Sequence, residues 1–149
     1  MQTTTTETIR AGIIDAIRGI TPRHAFLRES APWTYVLPDS FAAGAQPRRY
    51  TIAENVAAPV WGQYSNGELY GYKLEVIASY VAIPTHVLAD VLTLDAVDLR
   101  EAIDNLRDPT VPGLAEVIFD GCNTGRLDSD GLEAAFVFTI HYLQNTGLH

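Results

Sequence analysis

The chain has 149 residues, 47% of them hydrophobic and 19% charged, which is the size and composition of one globular domain with its own core. The formal net charge of −8 argues against nucleic acid as the main ligand, because phosphate binding needs clustered Lys and Arg. The single cysteine, Cys122, excludes an internal disulfide and favours folding inside a cell. We find no secretory signal pattern and no apolar run as long as a membrane span.

The acidic charge is concentrated in the second part of the chain. Residues 1 to 89 hold seven acidic and seven basic side chains, whereas residues 90 to 149 hold eleven acidic and three basic ones. Nine of the ten basic residues are arginine, which suits bidentate contacts with carboxylates better than lysine does. Two interpretations stay open: a solvated acidic surface that confers solubility, or arginine–carboxylate pairing between like subunits.

An amphipathic helix is predicted from about Thr5 to Gly19. Thr4 and Glu7 have the form of a capping box, and Pro22 follows the predicted end. The apolar positions recur at helical spacing and indicate a stripe that packs on a core: Ile9, Ile13, Ala16, Ile17 and Ile20.

A long connection with four prolines is predicted from residue 21 to residue 48. Connections of this length are uncommon in compact domains and are usually interaction loops or lids. The alternative is a short edge strand from Trp33 to Leu37, flanked by turns, and the two interpretations are compatible.

A pair of strands with a hairpin turn is predicted next. Strands are expected at Arg49 to Ala53 and at Ala58 to Tyr64, and Asn66-Gly67 is a strong hairpin signal between apolar runs. This turn would pair the region around Trp61 with a strand from Tyr70 to Val81, in which apolar residues alternate.

A second helix is predicted from about Ala96 to Arg107, with Asp95 as its N-cap and Asp108-Pro109 at its end. Its buried stripe would contain Leu99, Ala102, Ile103 and Leu106. The segment from His86 to Leu94 is ambiguous between a short helix and an irregular crossover.

Two further strands are predicted at the C-terminus, from Ala115 to Cys122 and from Glu133 to Tyr142, joined by a turn at Leu127 to Gly131. In the last strand and in Tyr70 to Val81 one face is fully apolar and the other is mixed, which is typical of a surface shared with a neighbouring subunit. We therefore expect a single domain over residues 1–149, of the α/β (α+β) class. Its mixed, mainly antiparallel sheet would carry about two helices on one face.

The motifs that would indicate catalysis or cofactor binding do not occur in the sequence. Asp128-Ser-Asp-Gly lacks carboxylates at both ends of an EF-hand loop, so a polar turn is favoured, with a weakly held divalent cation as the open alternative. The four histidines and Cys122 show no metal-ligand spacing. We expect no enzyme activity, no cofactor and no metal site.

Candidate interface residues come from the long loop, the arginines and the acidic turn. Trp and Tyr are favoured interface anchors, and arginines could pair with a neighbour's acidic surface. The candidates are Arg23, Arg28, Trp33, Tyr35, Arg48, Arg49, Asp128 and Asp130.

Five segments in this order resemble one known family. They are Thr-Glu-Thr-Ile-Arg-Ala-Gly-Ile-Ile-Asp-Ala-Ile, Tyr-Lys-Leu-Glu-Val-Ile-Ala-Ser-Tyr, Asp-Leu-Arg-Glu-Ala-Ile, Pro-Gly-Leu and the C-terminal Glu-Ala-Ala-Phe-Val-Phe-Thr-Ile-His-Tyr. The pattern is similar to that of the tail terminator proteins of long-tailed bacteriophages, the lambda protein U-like group, and it covers nearly the whole chain in element order.

The resemblance implies a structural protein of the virion, assembled in the host cytoplasm. It implies a homo-oligomer, a ring of about six copies, that stops polymerisation of the tail tube at its final length and joins the tail to the head. The implied partners are the tail tube protein, a neck or head completion protein, and the end of the tape-measure protein. The alternatives are another neck connector, such as a head or tail completion protein, or a small α/β ligand-binding domain or enzyme.

Overall fold

The alternating apolar residues of the predicted strands form the centre of a six-stranded sheet. The computed structural model describes residues 4–23, 31–41, 48–60, 69–81, 85–126 and 131–144. The elements in these residues are α1 (Thr6–Arg18), β1 (Thr34–Tyr35), a 3-10 turn (Pro38–Ser40), β2 (Arg49–Glu54), β3 (Ala58–Pro59), β4 (Leu69–Val81), α2 (Thr85–Asp104), β5 (Leu114–Arg126) and β6 (Gly131–Leu143).

The strands lie in the order β1-β2-β4-β6-β5, and β3 pairs with the beginning of β4 beside β2. Only the short β1–β2 pair is parallel among the described strands. The predicted α+β class with a mixed, mainly antiparallel sheet is therefore confirmed. The pairing of β3 with β4 also agrees with the predicted hairpin, whose Asn66-Gly67 turn lies outside the described residues.

One face of the sheet forms the core together with both helices. The long β4 and β6 strands pair along their whole length, so that Leu74 faces Phe138 and Val76 faces Phe136. Complete burial of a large apolar side chain stabilises a fold by about 1.5–3 kcal/mol, so this face supplies much of the driving force. The fully buried apolar side chains of the sheet and helices include Ile9, Ile13, Ile17, Leu74, Val76, Val91, Leu99, Ile103, Phe136, Phe138 and Ile140.

The first helix agrees with its predicted range, but a different threonine caps it. Thr5 is the N-cap, and its side-chain oxygen accepts a hydrogen bond from the backbone N–H of Thr8 at 3.2 Å. Thr4 instead donates its hydroxyl to the carbonyl of Pro112, so it ties the helix entry to the segment before β5. The predicted pairing of Thr4 with Glu7 as a capping box is wrong for that reason.

The second helix begins well before its predicted start. It starts at Thr85, so the ambiguous segment from His86 to Leu94 is helical, and Asp95 lies in the interior of the helix. The assignment of Asp95 as an N-cap is wrong, because its carboxylate is buried and bonded to side chains of other elements. The helix ends at Asp104 rather than near Arg107.

An irregularity in β5 changes which residues face the core. The register shifts between Phe119 and Gly121, and Gly121 has a φ of 132°, which a glycine adopts readily. Phe119 pairs with Phe138 before the bulge, and Cys122 pairs with a core-facing strand position after it. Cys122 is nevertheless exposed.

Candidate interaction surfaces

The predicted aromatic anchors are largely part of the core. Trp33 is 6% exposed, and its ring packs edge-on against Tyr50 and Phe136 at centroid distances of 5.8 and 6.5 Å. Tyr35 is half-buried and packs edge-on against Tyr50 at 5.5 Å. Core packing therefore accounts for Trp33, and the interface role predicted for it is corrected. Tyr35 keeps part of its ring accessible at the edge of the sheet.

Arg48 is a buried residue and cannot reach a neighbouring subunit. Its side chain is 0% exposed, and its guanidinium donates to both carboxylate oxygens of Asp95 at 2.9 to 3.1 Å. Tyr80 donates its hydroxyl to the same carboxylate at 2.6 Å, and the guanidinium lies 5.8 Å from the ring centroid of Trp33. The interface role predicted for Arg48 is corrected for this reason.

This buried cluster joins three parts of the fold. Burial raises the pKa of Asp95, and the hydrogen bonds from Arg48 and Tyr80 partly offset that rise. Burial and the neighbouring carboxylate also raise the pKa of Tyr80. The cluster has the features of a structural ion pair, because its charged atoms are bonded to one another and lie away from solvent. The sequence did contain a signal for it: Asp95 interrupts an apolar stripe between Val91 and Leu99, where a charge requires a partner.

Arg23 is also used within the chain. It contacts the carboxylates of Asp98 at 2.6 Å and Glu101 at 2.7 Å, both on α2. Arg10 of α1 forms a further pair with Glu54 at the end of β2. The contacts of Arg23 join a base of the first part of the chain to acids of the second part, so part of the charge asymmetry along the chain is balanced inside the protomer.

Arg49 is partly exposed in the described chain, as is Arg23, whose side chain is 45% exposed. The Arg49 guanidinium donates to the backbone carbonyl of Ser40 in the 3-10 turn at 3.0 Å, in an exposed setting. Arg28, Asp128 and Asp130 lie outside the described residues. Among the described candidates, Trp33 and Arg48 meet in the buried cluster, whereas Arg23 lies against α2 and Arg49 against the 3-10 turn.

The second face of the sheet is a mixed surface of apolar and polar side chains. Its central positions on β4 and β6 are Ile77, Ala135 and Val137, all half-buried, and neither α-helix covers them. Ile118 on β5 adds an apolar side chain that is 39% exposed. An apolar centre that stays partly accessible to water is typical of a protein-contact surface.

Charged and polar residues border this apolar centre. The Lys73 ammonium contacts the Asp120 carboxylate at 2.8 Å, and both bond to the hydroxyl of Thr139, so the contact crosses three strands. These hydrogen bonds hold the pKa of Asp120 below its ordinary value of 3.8. Farther along the face, Nδ1 of His141 contacts Glu116 at 2.9 Å. We name the face defined by Ile77, Ala135, Val137 and Ile118, with this polar border, the open face.

A groove of about 360 Å³ lies between α2 and β5 on the opposite side of the sheet. Val97, Val117 and Phe119 contribute apolar surface to it, and Glu101 and Asp104 are among its charged residues. The guanidinium of Arg100 lies 5.5 Å from the Phe119 ring centroid, a cation–π geometry. The groove combines an apolar floor with a charged rim, which suits a side chain of another protein segment.

Within the described ranges, we find no group of three or more His, Cys, Asp or Glu side chains that could hold a metal ion. No helix in those ranges combines the length and apolar character required to cross a membrane. The chain matches no protein-family model, and comparison with curated proteins finds no relative.

Proposed function

We propose that this protein is a tail terminator of a long-tailed bacteriophage. In this role, copies of the chain form a ring that binds the end of the tail tube, stops its polymerisation and presents a surface to the head or neck proteins. The protein acts by assembly and not by catalysis, and its place of action is the tail or neck of the virion.

The open face is the observation that carries this proposal. A terminator must cover the last ring of a protein tube, which requires a broad contact surface that is stable in water before assembly. The open face meets both needs, since the half-buried Ile77 and Val137 can be desolvated by a partner while bordering charges keep the free protein soluble. The order of elements, which resembles the terminator family, supports the same proposal.

The charged residues of the open face can distinguish one partner protein from another. Lys73 and Asp120 are paired with one another and remain partly accessible, with 54% and 30% of their side chains exposed. A correct partner can replace their lost water contacts, whereas a surface without matching groups would leave them unpaired at a cost. We therefore expect the Lys73–Asp120 pair to make the protein specific for one end of the tube.

The experiment that tests the proposal measures tube length. Tail tube protein is polymerised in vitro with and without the purified chain, tube lengths are measured by electron microscopy, and the mass of the chain is measured by light scattering. We expect shorter, uniform tubes with the chain bound at one end. We also expect a particle of several subunits, formed either free in solution or on the tube.

Val137→Lys tests the open face directly, because it places a charge at the apolar centre. We expect this variant to fold but to lose control of tube length. Thr93→Lys is the matched control, since Thr93 is exposed on α2, away from the open face. Normal tube control by Val137→Lys would remove the open face from the mechanism. Tubes of unchanged length in the presence of the wild-type protein would refute the proposed function, and binding to head completion proteins instead would favour a neck connector.

A further inference from the structure

The two outer edges of the sheet differ in chemistry. β1 is one terminal strand of the described sheet, and β5 is the other. Two residues after β1, Leu37 is 63% exposed, and Arg49 lies on the adjacent strand. We name Leu37 and Arg49 the knob edge.

The β5 side carries features that fit the knob edge. The groove between α2 and β5 has the apolar residues Val117 and Phe119 on its floor. Its volume of about 360 Å³ is more than enough for a leucine side chain. Glu101 and Asp104 add carboxylates that are paired with Arg23 and Arg107 of the same chain and still have 61% and 46% of their side chains accessible. The apolar residues of the groove therefore match Leu37 of the knob edge, and the accessible oxygens of the Asp104 carboxylate can accept a further hydrogen bond from Arg49.

The length of β5 gives a separate reason to expect another subunit to bind on this side of the sheet. β5 has 13 residues and lies at the edge of the described sheet, so one side of its backbone is not paired to a strand of that sheet. Long free edges promote uncontrolled association, and proteins usually shorten, charge or cover them. A subunit that docks beside β5 would cover much of this edge.

We propose that the knob edge of one copy docks into the α2–β5 groove of the next copy. Leu37 enters the groove above Val117 and Phe119, and Arg49 approaches the carboxylate of Asp104. The contact joins two different surfaces, so each copy offers one of each and the arrangement closes into a ring when the rotation per copy permits. This inference rests on the proposed function for the need of a ring.

Two single variants block the two surfaces separately. Leu37→Asp places a charge on the knob, and Asp104→Trp fills the groove from an exposed rim position. The matched controls are Val56→Asp, at an apolar residue that is 90% exposed between β2 and β3, and Asp90→Trp, at an exposed position near the start of α2. Circular dichroism checks that all four variants fold.

The mass of each protein is then measured by light scattering, alone and with tail tube protein. We expect the wild-type protein and both controls to form a ring of about six subunits, and each blocked variant to lose it and remain a monomer. An equal mixture of the two blocked variants should give dimers, because each retains the surface that the other lacks. A general loss of stability would not produce dimers on mixing.

The outcomes separate this inference from the proposed function. Rings formed by Leu37→Asp or by Asp104→Trp would overturn the edge contact, even if the protein still limits tube length. Blocked variants that stay monomeric when mixed would also overturn it. Rings with the expected mixing behaviour but no effect on tube length would support the edge contact and refute the terminator. A wild-type protein that is monomeric under both conditions would overturn both.

Discussion

Replacing Asp95 by alanine should destabilise the fold strongly. Asp95 and Arg48 both have fully buried side chains, and the guanidinium makes three contacts of 2.9 to 3.1 Å with the two carboxylate oxygens. The alanine variant leaves this cation inside the protein without its partner. Arginine cannot lose its proton at ordinary pH, so the charge stays buried and unpaired.

The size of the effect follows from this burial. Removing one partner of a buried ion pair costs about 3–5 kcal/mol, which is a large part of the stability of an ordinary domain. In a domain of this size each kcal/mol lowers Tm by about 2–4 °C, so Asp95→Ala should lower Tm by about 10 °C. The Tyr80 hydroxyl would also lose its acceptor, which lies at 2.6 Å, and this adds to the loss.

The assay is thermal and urea unfolding followed by circular dichroism. Asp15→Ala is the matched control, since Asp15 forms an exposed pair with Arg18 on α1. An exposed pair of this kind contributes about 0.5 kcal/mol or less. Equal Tm values for Asp95→Ala and Asp15→Ala would refute the reasoning. The double variant Asp95→Leu with Arg48→Met removes both charges and should recover most of the lost stability.

Two further predictions concern the sheet. Gly71→Ala should lower the free energy of unfolding by about 1–3 kcal/mol, because the added Cβ would lie 2.8 Å from His141 Cδ2. Urea unfolding measures this loss. The control Gly125→Ala should lose much less stability, because a Cβ there meets no atom within 4 Å. Asp120→Asn should be less stable than wild type at neutral pH by about 0.2–1 kcal/mol, because Asp120 is paired with Lys73. Since the folded-state pKa of Asp120 is lowered, its contribution is present above the unfolded pKa and is lost as the pH falls through the folded one. The difference in Tm between the two proteins should therefore shrink at acid pH, and a difference that grew would contradict the assignment.

The sequence was sufficient to predict helices and strands where the apolar residues recur with a strong local period. Ile9, Ile13 and Ile17 predict α1 within one residue at each end, because spacing along a helix decides which side chains share a face. The alternation in Tyr70 to Val81 and Glu133 to Tyr142 likewise predicts β4 and β6 and their buried faces. The open face follows from the same alternation, since alternate residues of a strand point to opposite sides.

Sequence reasoning was insufficient where the residue that binds a side chain lies far away along the chain. Asp95 has the local features of a helix N-cap, yet α2 continues through it because Arg48 and Tyr80 supply the bonds that make a buried carboxylate tolerable. Arg23 is a predicted interface residue, and the fold pairs it with Asp98 and Glu101 of α2 while leaving 45% of its side chain exposed. Trp33 was a candidate anchor, and the packing of α1, α2 and the sheet buries it.

The sequence alone determined which segments are helices and strands in the strongly patterned parts, and which face of each is apolar. These properties depend on neighbours a few residues apart. Tertiary structure decided which charges are paired inside the protomer, where β5 changes register near Gly121, and which surfaces stay accessible. Those outcomes depend on contacts between residues far apart in the chain, such as Arg48 with Asp95, and the free energy of burying a charge is set by such contacts.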